Sequence, residues 1–179
     1  MATTVHVGTI WRRWPAAAGV LVAGFAGLDI ADDGGVGLAP VLAASALIYL
    51  GAAALGRPGA SWPLFFGSFV ALAVADEYAT WVLVGAAVVL AGYGLLRGAA
   101  RGLPLQAVAM AGFGGAAALA LAVSPDVGAY LVAAGLLGHA AWDAYHHRTG
   151  RVVVRSLAEF CAVLDTLLAA AIIVATLAA

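Results

Sequence analysis

The sequence predicts an all-α fold, a polytopic integral membrane bundle of seven transmembrane helices that forms a single domain over residues 1–179. Hydrophobic residues make up 65% of the chain, charged residues only 9%, and the mean hydropathy is +1.06. This composition is typical of a membrane protein rather than of a soluble domain. Segments such as 82–96 lack the two-residue alternation of membrane β-barrel strands, so helices are expected to span the bilayer.

Seven apolar stretches remain when the chain is divided at its charged residues. A bilayer core about 30 Å thick needs roughly 20 helical residues, and most of these stretches come close to that length. The first, third and sixth are the shortest. Connections of a few residues leave no room for a linker or a soluble module. In chain order, the predicted spans are 14–28, 34–56, 58–75, 78–96, 102–125, 127–142 and 153–178.

The basic residues fix the expected orientation of the bundle. All eight are arginines, and they lie at alternate helix ends, which the positive-inside rule assigns to the cytoplasm. We therefore expect a multi-pass protein of the cell membrane, inner or plasma, with its N-terminus in the cytoplasm and its C-terminus outside. The arginines are Arg12, Arg13, Arg57, Arg97, Arg101, Arg148, Arg151 and Arg155, and the acids at the opposite ends are Asp29, Asp32, Asp33, Asp76, Glu77 and Asp126.

Ionisable side chains well inside apolar sequence are concentrated in the last two predicted helices. They are His139, Asp143, Glu159 and Asp165, with Asp29 as the exception in the first span. A charge at the centre of a membrane helix costs roughly 2.5–3.5 kcal/mol on insertion scales, so such residues usually face a protein interior or an aqueous cavity. The segment 138–165 is therefore the predicted functional site.

Helical geometry places several of these groups close together. At 100° per residue, His139, Asp143, His146 and His147 fall within a sector of about 100°, and Asp143 can hydrogen-bond one of the imidazoles. Folding the hairpin near residue 150 brings Glu159 to the depth of His139 and places Asp165 deeper, level with Ala134. Arg155, one turn before Glu159, is the expected partner of that carboxylate.

The first functional hypothesis is a small proton- or cation-translocating protein. In it, Asp143, Glu159 and Asp165 form the pathway and His139 senses pH. The layout of seven helices, a cytoplasmic start and acids on helices 6 and 7 resembles that of Bax-inhibitor-type membrane proteins. That resemblance reaches only Asp143 and Asp165, because Asp143-Ala144-Tyr145 stands where the family has an Asp-Thr-Gln run.

The alternative hypothesis is a membrane-embedded, metal-dependent enzyme that acts on a lipid. The pattern HxxxDxxHH over 139–147 resembles half of a histidine-box hydroxylase motif. One cluster of this kind supports a single zinc or iron ion and no two-metal centre. The candidate ligands are His139, Asp143, His146, His147 and Glu159.

A third hypothesis is a non-catalytic subunit of a membrane complex, for substrate binding or assembly, whose partner is another chain of the complex or a second copy. A purely structural interpretation, in which the polar groups only satisfy one another, is the remaining alternative. Several classes are excluded by composition. The chain has no lysine for a retinal Schiff base, and its single cysteine, Cys161, rules out a paired-cysteine redox relay. Haem is not expected, since axial ligands come from opposite sides of the ring. Nothing resembles a nucleic-acid surface, and the lipid bilayer is the expected partner.

Overall fold

The computed structural model describes residues 13–28, 30, 34–99 and 102–178, and all regular secondary structure in these ranges is helical. The fold is therefore all-α, as predicted. Asp29, Asp32, Asp33, Arg12 and Arg101 lie outside the described residues. The α-helical segments are α1 (Trp14–Leu28), α2 (Ala39–Leu55), α3 (Ser61–Ala75), α4 (Ala79–Leu96), α5 (Leu103–Ala120), α6 (Pro125–Thr149) and α7 (Arg155–Ala178).

Segments α3 and α4 belong to one helical stretch, Pro58–Leu96, because a 3-10 turn at Asp76–Tyr78 joins them without an irregular residue. The stretch nevertheless folds back at this turn. Asp76 has φ 46°, the only positive φ of a non-glycine residue in the described ranges. Leu64 and Leu90 both approach Gly51, where an added Cβ would lie 2.8 Å and 3.3 Å from their Cδ1 atoms. The two segments therefore lie side by side against α2.

The predicted count of seven membrane-spanning helices is not confirmed. Counted by continuity, the described ranges hold six helical stretches. Four of them are long and apolar enough to cross a membrane, and their bounds are Gly35–Leu55, Pro58–Leu96, Leu103–Ala120 and Arg155–Ala178. Helix α1 is apolar but has only 15 residues, and α6, with 25 residues, has a polar C-terminal half that lowers its hydropathy. These helices are compatible with a membrane protein.

Helix α2 is the centre of the bundle. Within the stretch Gly35–Leu55, 83% of the most apolar window is buried, because α3, α4, α5 and α6 all pack around it. Its sequence is apolar on every side, as expected for a helix with no solvent or lipid face. Gly56 ends the helix in the left-handed region, with φ 62°, which glycine adopts without strain.

Close helix approaches fix the relative directions of the segments. Gly135 of α6 packs directly against Leu42 of α2, and seven to eight residues further along both helices Asp143 meets Tyr49, so α2 and α6 run parallel. At Gly19 of α1, an added Cβ would lie 2.7 Å from the carbonyl oxygen of Phe160 on α7. These contacts join α6 to α2 and α1 to α7, and α6 and α7 pack against each other beside them.

The arginine-bearing loops gather at one end of the bundle. The indole Nε1 of Trp62 donates to Ser156 Oγ at 3.1 Å, which joins the start of α3 to the start of α7. Arg13 reaches the first turns of α7 at this same end. Large apolar side chains face outward along the helices, including Phe25 (74% exposed), Val74 (80%) and Leu96 (92%). The exterior is therefore an apolar belt with a basic rim at one end.

Candidate functional site

The polar core of the bundle consists of His139 and Asp143 on α6 and Asp165 on α7, and we call these residues the core triad. All three side chains are completely buried. The Nδ1 atom of His139 lies 2.8 Å from Asp165 Oδ2 and 3.3 Å from Asp143 Oδ2. One imidazole nitrogen thus faces two carboxylates on two different helices.

Local sequence explains how α6 presents its two members of the triad. His139 and Asp143 are four residues apart, so both project from the same face of the helix. Gly138 lets Phe113 of α5 approach, since an added Cβ would lie 3.3 Å from Phe113 Cε1. The Phe113 ring then packs edge-on against His139, with centroids 5.1 Å apart. The imidazole is held between an apolar ring and the carboxylates.

Tyr49 of the central helix is a fourth member of this site. Its hydroxyl donates a hydrogen bond of 2.5 Å to Asp143 Oδ1, and the ring is 1% exposed. The ring also packs edge-on against His139 at 5.3 Å and against His146 at 4.8 Å between centroids. Tyr49 is not among the predicted site residues. The available signal was a phenol within a long apolar run, a signal that Tyr93 and Tyr130 share.

Several buried polar atoms of the core triad have no hydrogen-bond partner within the described part of the chain. They are His139 Nε2, Asp143 Oδ2 and Asp165 Oδ1. Asp143 Oδ2 is within ion-pair distance of the imidazole but forms no hydrogen bond with it. Buried polar groups are normally satisfied, and unsatisfied ones cost about 1–3 kcal/mol each. The core triad therefore has capacity to bind something beyond its own side chains.

A second polar network lies beside the core triad, toward the arginine-bearing end. His146 Nδ1 donates to the carbonyl oxygen of Trp142 at 2.9 Å, which leaves Nε2 to accept from Gln106 Nε2 at 3.1 Å. The Trp142 indole donates in turn to Gln106 Oε1 at 3.3 Å. Gln106 and His146 also line a cavity of about 480 Å³ with Arg151 at its rim. The neutral His146 is thus a satisfied residue next to an open cavity.

Glu159 is separate from the core triad. Its carboxylate forms an ion pair with Arg13, which immediately precedes α1, with Nη1 and Oε1 3.0 Å apart. The expected partner was Arg155, but that side chain lies against Gly150, where an added Cβ would be 3.3 Å from Arg155 Nε. His147 lines the same surface groove as Glu159, on the other side of α6 from His146.

The structure thus brings together three of the four residues in the predicted ion pathway, His139, Asp143 and Asp165, and places Glu159 elsewhere. The five predicted metal ligands are divided among the core triad, the His146 network and the groove with His147. The nearest approach to a metal-binding arrangement is the core triad itself, whose donor atoms lie within 4.8 Å of one another.

The spacing between His139 and Asp165 is that of hydrogen-bonded groups. Ligands of a tetrahedral zinc ion at 2.0–2.1 Å are about 3.3 Å apart, which equals the separation of His139 Nδ1 from Asp143 Oδ2 and exceeds the 2.8 Å between His139 Nδ1 and Asp165 Oδ2. A proton fits this separation without rearrangement.

Comparisons with known proteins give no further guide to this site. No protein-family model, no curated protein and no solved structure matches the chain.

Proposed function

We propose that this chain is a small integral membrane protein of seven spans that translocates protons or cations through the core triad. In the proposed orientation, the protein lies in the inner or plasma membrane and its arginine-bearing end faces the cytoplasm. Two features support seven spans. Segments α3 and α4 fold back on one another, and the arginine loops meet at one end of the bundle. The outward-facing apolar belt is suited to lipid contact.

One observation carries the transport proposal, which is that an imidazole and two carboxylates share one completely buried site. With both carboxylates ionised and His139 neutral, the triad has two negative charges. Each bound proton cancels one of them, so the neutral triad holds two protons. Burial favours this neutral form because uncompensated charge in an apolar interior is strongly disfavoured. The site is therefore neutral only while it holds two protons or an equivalent positive charge. A site that binds positive charge in this way is suited to proton or cation transfer.

The surroundings of the core triad favour exchange with the cytoplasmic end. Asp143 lies six residues before the end of α6, about 9 Å along the helix axis. Tyr49 and His146 form the layer between the triad and the cavity beside Gln106. Movement of that single layer would connect the triad to water.

The opposite side of the core triad is closed by apolar side chains. Val132 and Leu136 on α6 and Leu168 and Ile172 on α7 are at most 1% exposed and fill the next two turns. We therefore propose that the core triad, closed on both sides in the described conformation, exchanges with the cytoplasmic side once the layer of Tyr49 and His146 moves.

The alternatives receive less support from the geometry. An enzyme acting on lipid needs access from the bilayer to its reacting atoms, and the triad is completely buried. A non-catalytic subunit of a membrane complex has no need for unsatisfied carboxylate oxygens in its core.

The proposal is tested by proton flux into liposomes that contain the purified protein. We expect an imposed pH gradient to collapse faster in liposomes with the wild type than in empty liposomes. Asp165→Asn should remove at least nine-tenths of this difference in rate, roughly the tenfold loss that corresponds to 1.4 kcal/mol. Asp126→Asn, which alters an exposed acid in the first turn of α6, is the matched control. Both variants are first checked for folding by gel filtration and circular dichroism.

Two results would count against proton transfer. Flux through Asp165→Asn equal to that through Asp126→Asn would refute the assigned site. About one zinc or iron per purified chain, lost in His139→Ala, would instead favour the metal-dependent enzyme.

A further inference from the structure

A groove on the outer surface of the bundle, between α1, α6 and α7 at the arginine-bearing end, is not used by the core triad. Its volume is about 580 Å³. We propose that this groove binds the headgroup of an anionic phospholipid of the cytoplasmic leaflet. The inference rests on the proposed membrane topology but is independent of the transport activity. The lining residues that carry the argument are Arg13, Ala144, His147, Arg148, Glu159 and Ala162.

The charge of the groove is complementary to a phosphate. Glu159 is its only acid, and it is paired with Arg13 at 3.0 Å. Arg148 has no carboxylate within 4.0 Å among the described residues and is exposed, so its guanidinium is available to a ligand. The neighbouring His147 offers at least one N–H donor in either neutral tautomer. A phosphate bound between these two side chains would gain charge-assisted hydrogen bonds.

The floor of the groove suits the glycerol and the first carbons of an acyl chain. Ala16 lies on α1, Ala144 on α6 and Ala162 on α7, so no large side chain fills the space between the three helices. The Gly19 contact with α7 holds α1 close to it at this depth, and so fixes the width of the groove.

The position of the groove selects a lipid rather than a soluble anion. Trp14 and Trp62 stack with ring centroids 5.5 Å apart at the same end of the bundle, and tryptophans prefer the headgroup level of a bilayer. Basic pockets between transmembrane helices on the cytoplasmic side are typical binding places for anionic headgroups. Exposed apolar residues continue from this level into the lipid-facing belt.

The test measures phosphatidylglycerol binding by the full-length, delipidated protein in detergent, for example by native mass spectrometry with graded lipid. We expect Arg148→Gln to weaken binding about fivefold, the factor that corresponds to about 1 kcal/mol per basic residue. Arg97→Gln is the matched control, because Arg97 lies at the same end but outside the groove, where it donates to Tyr93 Oη at 2.9 Å. Ala144→Phe, which blocks the groove and leaves its charge unchanged, should weaken binding as well.

Equal weakening by Arg148→Gln and Arg97→Gln would overturn the proposal, since it would show diffuse attraction to the basic rim. Competition by glycerol 3-phosphate at the same concentration as the lipid would show a site for a free anion and would overturn the assignment to lipid. Asp165→Asn should bind phosphatidylglycerol as the wild type does. Its lipid binding and its proton flux are therefore separate readouts, and failure of the transport proposal would not be mistaken for failure of this one.

Discussion

Replacing Tyr49 with phenylalanine tests the buried site through a single hydrogen bond. The substitution keeps the ring that packs against His139 and His146 and removes only the hydroxyl that donates to Asp143. Asp143 Oδ2 already lacks a hydrogen-bond partner within the described residues, so the variant would leave both carboxylate oxygens unsatisfied in the core. The loss of a partner to a buried acceptor costs about 1–3 kcal/mol.

That cost should be visible as a lower melting temperature in detergent. For a chain of this size, 1 kcal/mol corresponds to roughly 2–4 °C, so Tyr49→Phe should lower Tm by roughly 2–12 °C. Tyr130→Phe is the matched control, because Tyr130 is 42% exposed and makes no side-chain hydrogen bond in the described part of the structure. Thermal unfolding followed by circular dichroism or by Cys161 accessibility measures both variants under the same conditions.

A double-mutant cycle makes the test specific to the bond. In an Asp143→Asn background, Tyr49→Phe should cost less than in the wild type, because the charged acceptor is already gone. If Tyr49→Phe lowered Tm no more than Tyr130→Phe does, or by the same amount in both backgrounds, the hydrogen bond would contribute nothing and the reasoning about the site would be refuted.

Two further predictions concern packing around the site. Gly135→Val should destabilise the protein by about 1–3 kcal/mol, because its side chain meets Leu42. Adding Leu42→Ala should recover part of the lost stability. Gly92→Val should be tolerated, because the space around Gly92 is open. If Leu42→Ala recovered no stability, the assigned contact between Gly135 and Leu42 would be contradicted. Gln106→Leu removes a partner from His146 and from the Trp142 indole, so we expect Tm to fall and the tryptophan emission to shift. An unchanged Tm would contradict the network.

Much of the core triad could be predicted from the sequence. The cost of placing ionisable groups in apolar sequence selects His139, Asp143 and Asp165, and the four-residue spacing on α6 predicts that the first two share a face. The predicted depth of Asp165 was wrong, because the hairpin of α6 and α7 brings this carboxylate to His139 and not to the level of Ala134. These inferences need only helical periodicity and one turn, Gly150, where φ is 61°.

The hydrogen-bond and ion-pair partners of these residues could not be predicted from the sequence, because they depend on which helices are neighbours in space. Tyr49 precedes Asp143 by 94 residues, and Arg13 precedes Glu159 by 146. Periodicity gives the face and depth of a side chain but not the helix opposite it. The nearby Arg155 was therefore the expected partner of Glu159, although Arg13, just before α1, is the actual one. The separation of His146 from His147 has the same origin, since α5 contacts one side of α6 while α1 and α7 border the other.

The central position of α2 connects this packing to the proposed transport. Tyr49 is held by a helix that is buried on all sides, whereas the carboxylate it binds is on α6, at the junction with α7. A displacement of α6 and α7 relative to α2 would break the Tyr49–Asp143 hydrogen bond and at the same time separate Tyr49 from His146, the layer between the core triad and the cavity. Because one movement would expose the triad and release its hydrogen-bonded partner, the same contact that stabilises the described conformation would also control access to the site. Tyr49→Phe should then raise the rate of proton exchange while lowering Tm, a combination that a purely structural role of Tyr49 does not produce.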